Sequence, residues 1–244
     1  MTGKNVKILV IIPAYQEEQT IRSVVENLIR IGRDVLVIND GSWDRTAEMA
    51  MQGGAKVITL PVNSGYGTAL QTGYRFAWRH RYDCVVQMDA DGQHDAAYLQ
   101  ELLQPVLAGE ADLTIGSRFK QSGSYKVPGI RRLGMQIFSA ILNILTKQKF
   151  TDPTSGFQAM NRRTLKYFTS DAFPRDYPDA DMLLTAFRAG LKIMEIPVTM
   201  HASKTGKSMH GGFIKPIYYI FRMMLGITVS LLRKPPNVQL QENE

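Results

Sequence analysis

Short, uninterrupted apolar runs alternate with longer segments of helical periodicity along the first half of the chain. The runs are rich in β-branched and aliphatic residues, which is typical of strands buried on both faces of a parallel sheet. The predicted strands are residues 6–12, 34–38, 55–60, 84–88 and 112–116, and the predicted helices are residues 20–31, 46–51, 67–79 and 95–106. The pattern therefore predicts an α/β fold with a doubly wound, mainly parallel sheet.

Polar clusters directly follow three of the predicted strands. Residues 13–18 follow the first strand, residues 39–42 follow the second, and residues 89–91 follow the fourth. In a doubly wound sheet, the ligand crevice lies beyond the carboxyl ends of the strands. We therefore expect the three clusters to meet along one edge of the sheet and to form the functional site.

Asp89 and Asp91 form an Asp-x-Asp pair at the end of the apolar run 84–88. Their carboxylates supply the hard oxygen ligands that Mg²⁺ or Mn²⁺ prefers when it bridges a diphosphate, so the pair is a candidate metal site for a nucleotide sugar. The spacing alone is weak, because 13 Asp in 244 residues give roughly 0.7 such triplets by chance. A second pair does occur, at Asp179 and Asp181. The prediction depends on the position of Asp89 and Asp91 at a strand end.

The net charge of +7 arises from two segments in the second half of the chain. Residues 118–149 contain seven Lys or Arg and residues 201–234 contain six, with no acid in either segment, so the remainder of the chain is net acidic. Apolar residues interleave these basic residues, and no nucleic-acid motif is recognisable. The pattern favours an anionic membrane surface or a phosphorylated lipid as partner over nucleic acid.

Length and cysteine content limit the class of protein further. A chain of 244 residues, 44% of them hydrophobic, can bury a core as one domain with an appendage. The single cysteine, Cys84, lies in a predicted strand and excludes an intrachain disulfide, which fits a reducing, cytoplasmic compartment. The apolar run at 6–12 ends at Pro13 and suits a strand better than a secretory signal.

Five ordered motifs between about Lys7 and Ser208 resemble the family-2 glycosyltransferases of the GT-A fold. They are IPAYQEE, NDGSWDRT, NSGYGTA, DADGQH and DPTSGF, which begin at residues 12, 39, 63, 89 and 152. Within that family the chain is most similar to the dolichyl-phosphate mannosyltransferase-like branch. The resemblance implies inverting transfer of a sugar from a nucleotide donor, often to a polyprenyl phosphate at the cytosolic membrane face.

The resemblance assigns the donor pocket to the first two strand ends. At the position of Asp40, the family contacts the base or ribose of the donor, and Pro13, Tyr15 and Glu17 would shape the same pocket. The alternative for Asp40 is a turn residue before Gly41, a role that Asp often fills.

The resemblance places the metal and the diphosphate at the fourth strand end. Asp89 and Asp91 would hold Mg²⁺ or Mn²⁺ and neutralise the leaving diphosphate, with Gln93 supporting them. A family motif, Arg-x-x-Gly-x-Ser, carries an arginine that clamps the diphosphate, but Ser203 takes its place here. The clamp would then come from Lys204 or its neighbour Lys207, although lysine lacks the bidentate fork of arginine.

Asp181 matches a family carboxylate near the reacting centre. If the acceptor is a sugar hydroxyl, Asp181 is a candidate general base. If the acceptor is a lipid phosphate, the nucleophile is already anionic and needs no base. The alternative role for Asp181 is a favourable negative charge at the start of the helix predicted at 182–189.

Acceptor binding is predicted in the basic segments. Arg118 and Arg131 or Arg132 resemble family positions that grip the acceptor phosphate. The apolar residues of 133–145 share one helical face, so this helix could lie in a membrane interface with arginines at headgroup level. The alternative is a helix packed on the domain with solvated ends.

The last predicted helix, residues 213–233, is apolar except for a basic stripe. Its longest uncharged stretch, 223–232, has ten residues, whereas a membrane-spanning helix needs about 20. It is expected to be an interfacial anchor or a docking face for a small membrane protein. The predicted division is therefore a transferase domain at 1–212, an amphipathic membrane-associated helix at 213–234 and a flexible tail at 235–244.

The functional prediction is a metal-dependent, inverting glycosyltransferase peripheral to the cytosolic membrane face, with polyprenyl phosphate as acceptor. One alternative is transfer to a hydroxyl of a growing cell-surface glycan. Another is a non-catalytic relative that binds nucleotide sugar at the membrane. The motifs do not choose among UDP-glucose, UDP-N-acetylglucosamine and GDP-mannose.

Overall fold

A computed structural model of the chain describes residues 6–120, 129–171, 173–174, 180–201 and 214–232, with the backbone alone at 129–134, 214–221 and 223. The described strands form one seven-stranded sheet with the order β3-β2-β1-β4-β6-β5-β7. They are β1 (Ile8–Ala14), β2 (Asp34–Asn39), β3 (Lys56–Thr59), β4 (Cys84–Gln87), β5 (Leu113–Ser117), β6 (Gln158–Asn161) and β7 (Ile193–Pro197). The α-helices are α1 (Ile21–Arg30), α2 (Thr46–Gln52), α3 (Tyr66–Arg79), α4 (Leu99–Leu107), α5 (Gly129–Thr146), α6 (Arg162–Phe168), α7 (Ala180–Arg188) and α8 (Ile214–Leu232).

The predicted sheet is confirmed. Each of the five predicted strands is present with ends within two residues of the prediction, and β1 to β4 are parallel to one another, as are β5 and β7. β6 is the exception, since it is antiparallel to both of its neighbours, β4 and β5. Its four residues contain neither β-branched nor aromatic side chains, so the apolar pattern did not predict it.

Helices cover both faces of the sheet. Successive residues of a strand point to opposite faces, and Leu9 and Ile11 of β1 accordingly join one apolar cluster, whereas Val10 and Ile12 join the other. The first cluster includes residues of α3, α5, α6 and α7, and the second includes residues of α1 and α4. Burial on both faces explains why the strands are continuous apolar runs rather than alternating ones.

The start of the fourth predicted helix differs in detail from the sequence pattern. The Asp95 side chain accepts a hydrogen bond from the Ala97 backbone N–H at 2.9 Å, so Asp95 caps the start of this segment. A single 3₁₀ turn, Ala96–Tyr98, follows before α4 begins. The cap still sets the point at which the chain turns away from the carboxyl end of β4.

The last helix has two different faces. Ile227 is buried in the apolar cluster that also contains residues of α7, so one side of α8 packs on the domain. Leu225, Val229 and Leu232 are exposed on α8, and Leu232 is 82% exposed. In the part of the chain that the structure describes, no helix has both the length and the apolar content required to cross a membrane.

Candidate active site

The loops after β1 and β2 are joined to each other at the carboxyl edge of the sheet. The backbone N–H of Gln16 donates to the Ser42 hydroxyl at 3.0 Å, and the N–H of Glu17 donates to the Thr46 hydroxyl at 2.8 Å. The parallel register of β1 and β2 brings these loops side by side, with Ala14 opposite Asn39. The first two polar clusters therefore meet as predicted.

The residues predicted to shape the donor pocket with Asp40 differ in their exposure. Pro13 is buried in β1, opposite Ile38 of β2. Tyr15 is 42% exposed at the end of the strand. The Glu17 carboxylate accepts a hydrogen bond from the Thr20 hydroxyl at 2.8 Å. Tyr15 is thus the most accessible of these three side chains for contact with a ligand.

Asp40 is enclosed by the loop that precedes α3. Its two carboxylate oxygens accept hydrogen bonds from the backbone N–H groups of Ser64 and Gly65, at 2.7 and 2.9 Å, and the residue is only 4% exposed. Gly41 follows with φ of +68°, and a Cβ there would lie 2.4 Å from the Val62 carbonyl carbon. Asp40 therefore fastens the loop before α3 to the end of β2. Its position before Gly41 agrees with the alternative of a turn residue, and its contact with the donor remains a prediction.

Asp89 lies at the open end of β4 and is held from three directions. The Tyr66 hydroxyl donates to Asp89 Oδ1 at 2.9 Å, and His94 Nε2 lies 3.5 Å from Oδ2. A Cβ built on Gly156 would lie 2.7 Å from Oδ2, so only glycine leaves room for the carboxylate in this position. The Asp89 side chain is nevertheless 31% exposed. It is a fixed carboxylate that a ligand can reach.

His94 contacts Asp89 through both nitrogens of its ring. Its Nδ1 lies 3.1 Å from the Asp89 backbone N–H, which can only donate, so Nδ1 accepts and the proton resides on Nε2. The ring stacks on Phe157 with centroids 4.9 Å apart. Burial lowers the pKa of His94, which favours the neutral ring. His94 is therefore a support for Asp89 in this arrangement.

Asp91 is held within its own loop. Its Oδ1 accepts from the Gln93 backbone N–H at 3.0 Å, and its Oδ2 accepts from Gln93 Nε2 at 2.6 Å. Burial raises the pKa of Asp91, and the neighbouring charge of Asp89 raises it further. A cation between the two carboxylates would offset both effects. The structure thus brings Asp89, Asp91 and Gln93 together.

The donor set fits a metal that is shared with a substrate. Within the described residues, no group of three or more His, Cys, Asp or Glu side chains could enclose a metal ion. Mg²⁺ typically binds through one or two carboxylates and completes its shell with water and substrate phosphates. Asp89 and Asp91 are two such carboxylates at an open edge. They fit Mg²⁺ or Mn²⁺ bound together with a diphosphate.

Arg118 forms a buried ion pair. Its Nε and one terminal nitrogen donate to the two oxygens of Asp152, each at 2.7 Å, and Asp152 is fully buried. The backbone N–H groups of Thr151 and Asp152 donate in turn to the Glu195 carboxylate, at 2.8 and 2.9 Å. This network fastens the end of β5 to the segment before Gly156. The structure places Arg118 in the interior, and its predicted grip on an acceptor phosphate remains a prediction.

Asp181 lies at the start of α7, facing α8. The residue is 7% exposed, and its Oδ1 accepts a hydrogen bond from the Met182 backbone N–H at 2.8 Å. A Cβ built on Gly226 of α8 would lie 2.7 Å from Asp181 Oδ2. The negative charge sits in the first turn of α7, as the helix-terminus alternative predicted. The general-base role remains a prediction.

The remaining predicted residues lie partly outside the described part of the chain. Arg131 and Arg132 are in α5, where only the backbone is described. Lys204 lies outside the described residues. The described chain before it ends at His201, whose backbone N–H donates to the Gln93 carbonyl at 2.8 Å. The described chain therefore ends at residue 201 beside the Asp-x-Asp loop.

Comparison with known proteins identifies the family. Residues 9–168, more than half of the chain, match the family model described as Glycosyl transferase family 2. The chain belongs to this family. It is 33% identical over 226 residues to the undecaprenyl-phosphate mannosyltransferase of Micrococcus luteus, with 85% of this chain and 89% of that protein covered. It is 31% identical over 217 residues to the polyprenol monophosphomannose synthase of Mycolicibacterium smegmatis, with 84% and 82% covered.

Solved structures show the same fold. The crystal structure of glucosyl-3-phosphoglycerate synthase from Mycobacterium tuberculosis in complex with Mn²⁺, UDP-glucose and phosphoglyceric acid matches with a TM-score of 0.73 at 22% identity. The match covers 93% of this chain and 80% of that one. The likeness confirms the GT-A-like fold, and the family membership makes the chain a glycosyltransferase.

Three residues of the site were not singled out by the sequence reasoning. Tyr66 and Gly156 lie within the resembling motifs, but neither was assigned a contact with Asp89. His94 lies in the DADGQH motif and was not predicted as a metal ligand, and the structure places it against Asp89. The sequence offered one signal for these contacts: Tyr66 and Gly156 each lie in one of the five motifs, as Asp89 does.

Proposed function

We propose that the protein is a metal-dependent, inverting glycosyltransferase that moves a sugar from a nucleotide sugar to a polyprenyl phosphate. The observation that carries the proposal is the pair Asp89 and Asp91 at the open end of β4, held by Tyr66 and Gln93. Such a pair suits Mg²⁺ or Mn²⁺ bound with a diphosphate. The Mn²⁺ and UDP-glucose complex of the similar structure supports this donor chemistry.

The donor would lie along the edge formed by the loops after β1, β2 and β4. Tyr15 presents an exposed ring at this edge, and Asp40 orders the loop that faces it. Pro13 and Glu17 shape the wall behind Tyr15, and Lys204 would reach the diphosphate from the segment after His201. A bound metal would stabilise the negative charge that develops on the leaving diphosphate.

A phosphate acceptor agrees with the position of Asp181. A sugar hydroxyl requires a base within hydrogen-bond reach, whereas a phosphate monoester is already an anionic nucleophile. Asp181 is enclosed between α7 and Gly226 of α8, so it is poorly placed to take a proton from a bulky acceptor. The names of the relatives, an undecaprenyl-phosphate mannosyltransferase and a polyprenol monophosphomannose synthase, support the same acceptor class.

The acceptor and the membrane would meet the basic, apolar helices α5 and α8. Ile144 of α5 is 77% exposed and Leu232 of α8 is 82% exposed, and each helix exposes further large apolar side chains, Ile137 and Leu145 on α5 and Leu225 and Val229 on α8. Exposed apolar patches often mark membrane or protein contacts. The acid-free segments around them carry 13 Lys or Arg, including Arg131 and Arg132. In this proposal the transferase domain spans 1–212 and the helix at 213–234 lies on the cytosolic membrane face, where a small membrane protein could also dock. Residues 235–244 would then form a tail.

An acceptor assay tests the proposed function. Purified protein is incubated with radiolabelled UDP-glucose, UDP-N-acetylglucosamine or GDP-mannose, Mn²⁺ and undecaprenyl or dolichyl phosphate in detergent. We expect label from one donor to enter the organic phase as an acid-labile lipid. Transfer to a soluble glycan, with none to either lipid phosphate, would favour the hydroxyl-acceptor alternative. Binding of a nucleotide sugar without any transfer would favour the non-catalytic alternative.

Liposome binding tests the proposed membrane contact of α5 and α8 separately. The double variant Ile144→Gln, Leu232→Gln removes two exposed apolar side chains, and Met51→Gln on α2, where Met51 is 58% exposed, is the matched control. Each large side chain buried in the interface contributes about 1.5–3 kcal/mol, so the double variant should bind anionic vesicles at least about tenfold more weakly. Equal binding by the double variant and the control would contradict the membrane assignment of α5 and α8.

A further inference from the structure

A chain of hydrogen bonds connects the buried core to Asp89. The Tyr74 hydroxyl donates to Gln87 Oε1 at 2.5 Å, Gln87 Nε2 donates to the Tyr66 hydroxyl oxygen at 2.9 Å, and the Tyr66 hydroxyl donates to Asp89 Oδ1 at 2.9 Å. Tyr74 is fully buried and Gln87 is 2% exposed. This series of hydrogen bonds therefore begins at Tyr74 on the buried side of α3 and ends at the candidate metal site.

Only one assignment of donors and acceptors satisfies these three hydrogen bonds. An ionised carboxylate can only accept, so the one proton of the Tyr66 hydroxyl is used for Asp89. The Tyr66 oxygen must then accept from the Gln87 amide nitrogen, which leaves the Gln87 carbonyl oxygen for Tyr74. Burial raises the pKa of Tyr74, which keeps its hydroxyl protonated as the donor at the start of the chain.

These hydrogen bonds and the packing of Gly156 fix the orientation of the Asp89 carboxylate. Tyr66 occupies one lone pair of Oδ1, and the close approach of Gly156 to both oxygens restricts rotation of the carboxylate. His94 Nε2 lies 3.5 Å from Oδ2, and the 31% exposure of the Asp89 side chain leaves the carboxylate accessible to a metal at the edge of the sheet. Hydrogen bonds to metal-binding carboxylates typically orient the ligand, and their removal typically costs 10–100-fold in metal affinity or activity.

We propose that Tyr66, oriented by Gln87, is a positioning residue that holds Asp89 in the geometry for binding the divalent metal. This inference rests on the proposed metal-dependent function and extends it to a residue outside the carboxylate pair. The Tyr66 hydroxyl touches neither substrate nor the reacting atoms in this role. Its effect on the reaction passes through Asp89.

The test is Tyr66→Phe, with Tyr82→Phe as the matched control. The Tyr82 hydroxyl donates to Asp34 Oδ2 at 3.0 Å, so the control removes the same kind of tyrosine–aspartate hydrogen bond at the amino edge of the sheet. Mn²⁺ binding is measured by the loss of the free Mn²⁺ electron paramagnetic resonance signal, with saturating UDP and, in parallel, GDP. Thermal unfolding of each variant is recorded alongside.

We expect Tyr66→Phe to weaken Mn²⁺ binding about 10–100-fold and Tyr82→Phe to leave it unchanged. High Mn²⁺ should restore most of the transfer rate of Tyr66→Phe, since only the affinity for the metal is reduced. Equal Mn²⁺ affinity in wild type and Tyr66→Phe would overturn this inference but not the proposed function. Loss of cooperative unfolding in Tyr66→Phe would also overturn it, because the hydroxyl would then be needed for folding. Failure of the wild type to bind Mn²⁺ with either nucleotide would overturn both the inference and the proposed function.

Discussion

The two aspartates Asp89 and Asp181 make the same close contact in two different regions of the molecule. Each carboxylate lies so close to a glycine that an added Cβ would be 2.7 Å from an oxygen, Gly156 in the first case and Gly226 in the second. The Asp89 side chain is 31% exposed at the edge of the sheet, whereas Asp181 is 7% exposed between two helices. The same contact with a glycine therefore occurs at a carboxylate that a ligand can reach, Asp89, and at an enclosed one, Asp181.

The difference lies in what supports each carboxylate. Asp89 receives its hydrogen bond from Tyr66, a side chain anchored to the core, and its other side faces the crevice. Asp181 accepts from the backbone N–H of Met182, the next residue in its own helix, and faces α8. Asp89 is thus fixed by the fold on one side and exposed on the other, as the proposed metal binding requires.

Among the variants that probe the surroundings of the two aspartates, the largest effect is expected from Gly156→Ala. The backbone φ of Gly156 is not left-handed, so the strain comes from the added Cβ, which would lie 2.7 and 2.8 Å from the two Asp89 oxygens. The carboxylate can move aside at little cost in stability, but it then leaves its metal-binding position. We expect Mn²⁺ affinity and transfer to fall about 10–100-fold while the melting temperature shifts by about 2–4 °C at most.

Isothermal titration of Mn²⁺ in the presence of nucleotide, together with thermal unfolding, checks this prediction. Gly226→Ala is the matched control, because it introduces the same methyl group at the same 2.7 Å from an aspartate oxygen. Full Mn²⁺ affinity in Gly156→Ala would show that the position of Asp89 does not control metal binding.

A smaller effect, on stability and ligand binding together, is expected from Asp40→Asn. Both Asp40 oxygens accept backbone N–H groups, and the amide nitrogen of Asn would face one of these donors without a hydrogen bond. The free energy of unfolding should fall by about 1–3 kcal/mol, and nucleotide affinity should fall with it as the loop before α3 loosens. Urea unfolding and calorimetry measure the two quantities. Loss of nucleotide binding at unchanged stability would instead make Asp40 a direct ligand contact.

The smallest effect is expected from Gly226→Ala. Alanine in a helix interior gains about 1 kcal/mol over glycine, whereas overpacking costs about 1–3 kcal/mol, so the free energy of unfolding should fall by about 1 kcal/mol. Mn²⁺ and nucleotide binding should be unchanged, because Asp181 is 7% exposed and lies against Gly226 of α8, whereas the candidate metal carboxylates lie in the loop after β4. A large loss of Mn²⁺ affinity in this variant, comparable with that of Gly156→Ala, would erase the distinction between the two aspartates.

The apolar pattern predicted the sheet because strands buried on both faces have a local signature. The runs that became β1, β2 and β4 end at the polar clusters, so the placement of all three clusters at one edge followed from the topology of a parallel sheet. The antiparallel β6 was missed, since Gln158–Asn161 lacks the β-branched residues that mark a strand.

The contacts that define the site could not be read from periodicity. Tyr66 and Asp89 are 23 positions apart, and Gly156 reaches Asp89 only through the insertion of β6 beside β4. Arg118 was expected to face a phosphate, yet its guanidinium donates two hydrogen bonds to the buried Asp152. The positive charge of an arginine does not reveal whether its anionic partner is a phosphate of the ligand or a carboxylate of the fold.

The central claim is that Asp89 and Asp91 serve a metal in sugar transfer, and one measurement tests it most directly. Transfer from the preferred nucleotide sugar is followed with Mn²⁺, after EDTA, and after Mn²⁺ is restored, for wild type and Asp91→Asn. Asn retains one oxygen for the Gln93 backbone N–H, and its amide nitrogen can donate to Gln93 Oε1 once the Gln93 amide turns over, so the fold should persist while the charge is lost. We predict turnover that EDTA abolishes and Mn²⁺ restores in the wild type, with at least about a 100-fold loss in Asp91→Asn, in keeping with an electrostatic contribution of several kcal/mol. Full turnover in EDTA, or in Asp91→Asn, would contradict the account.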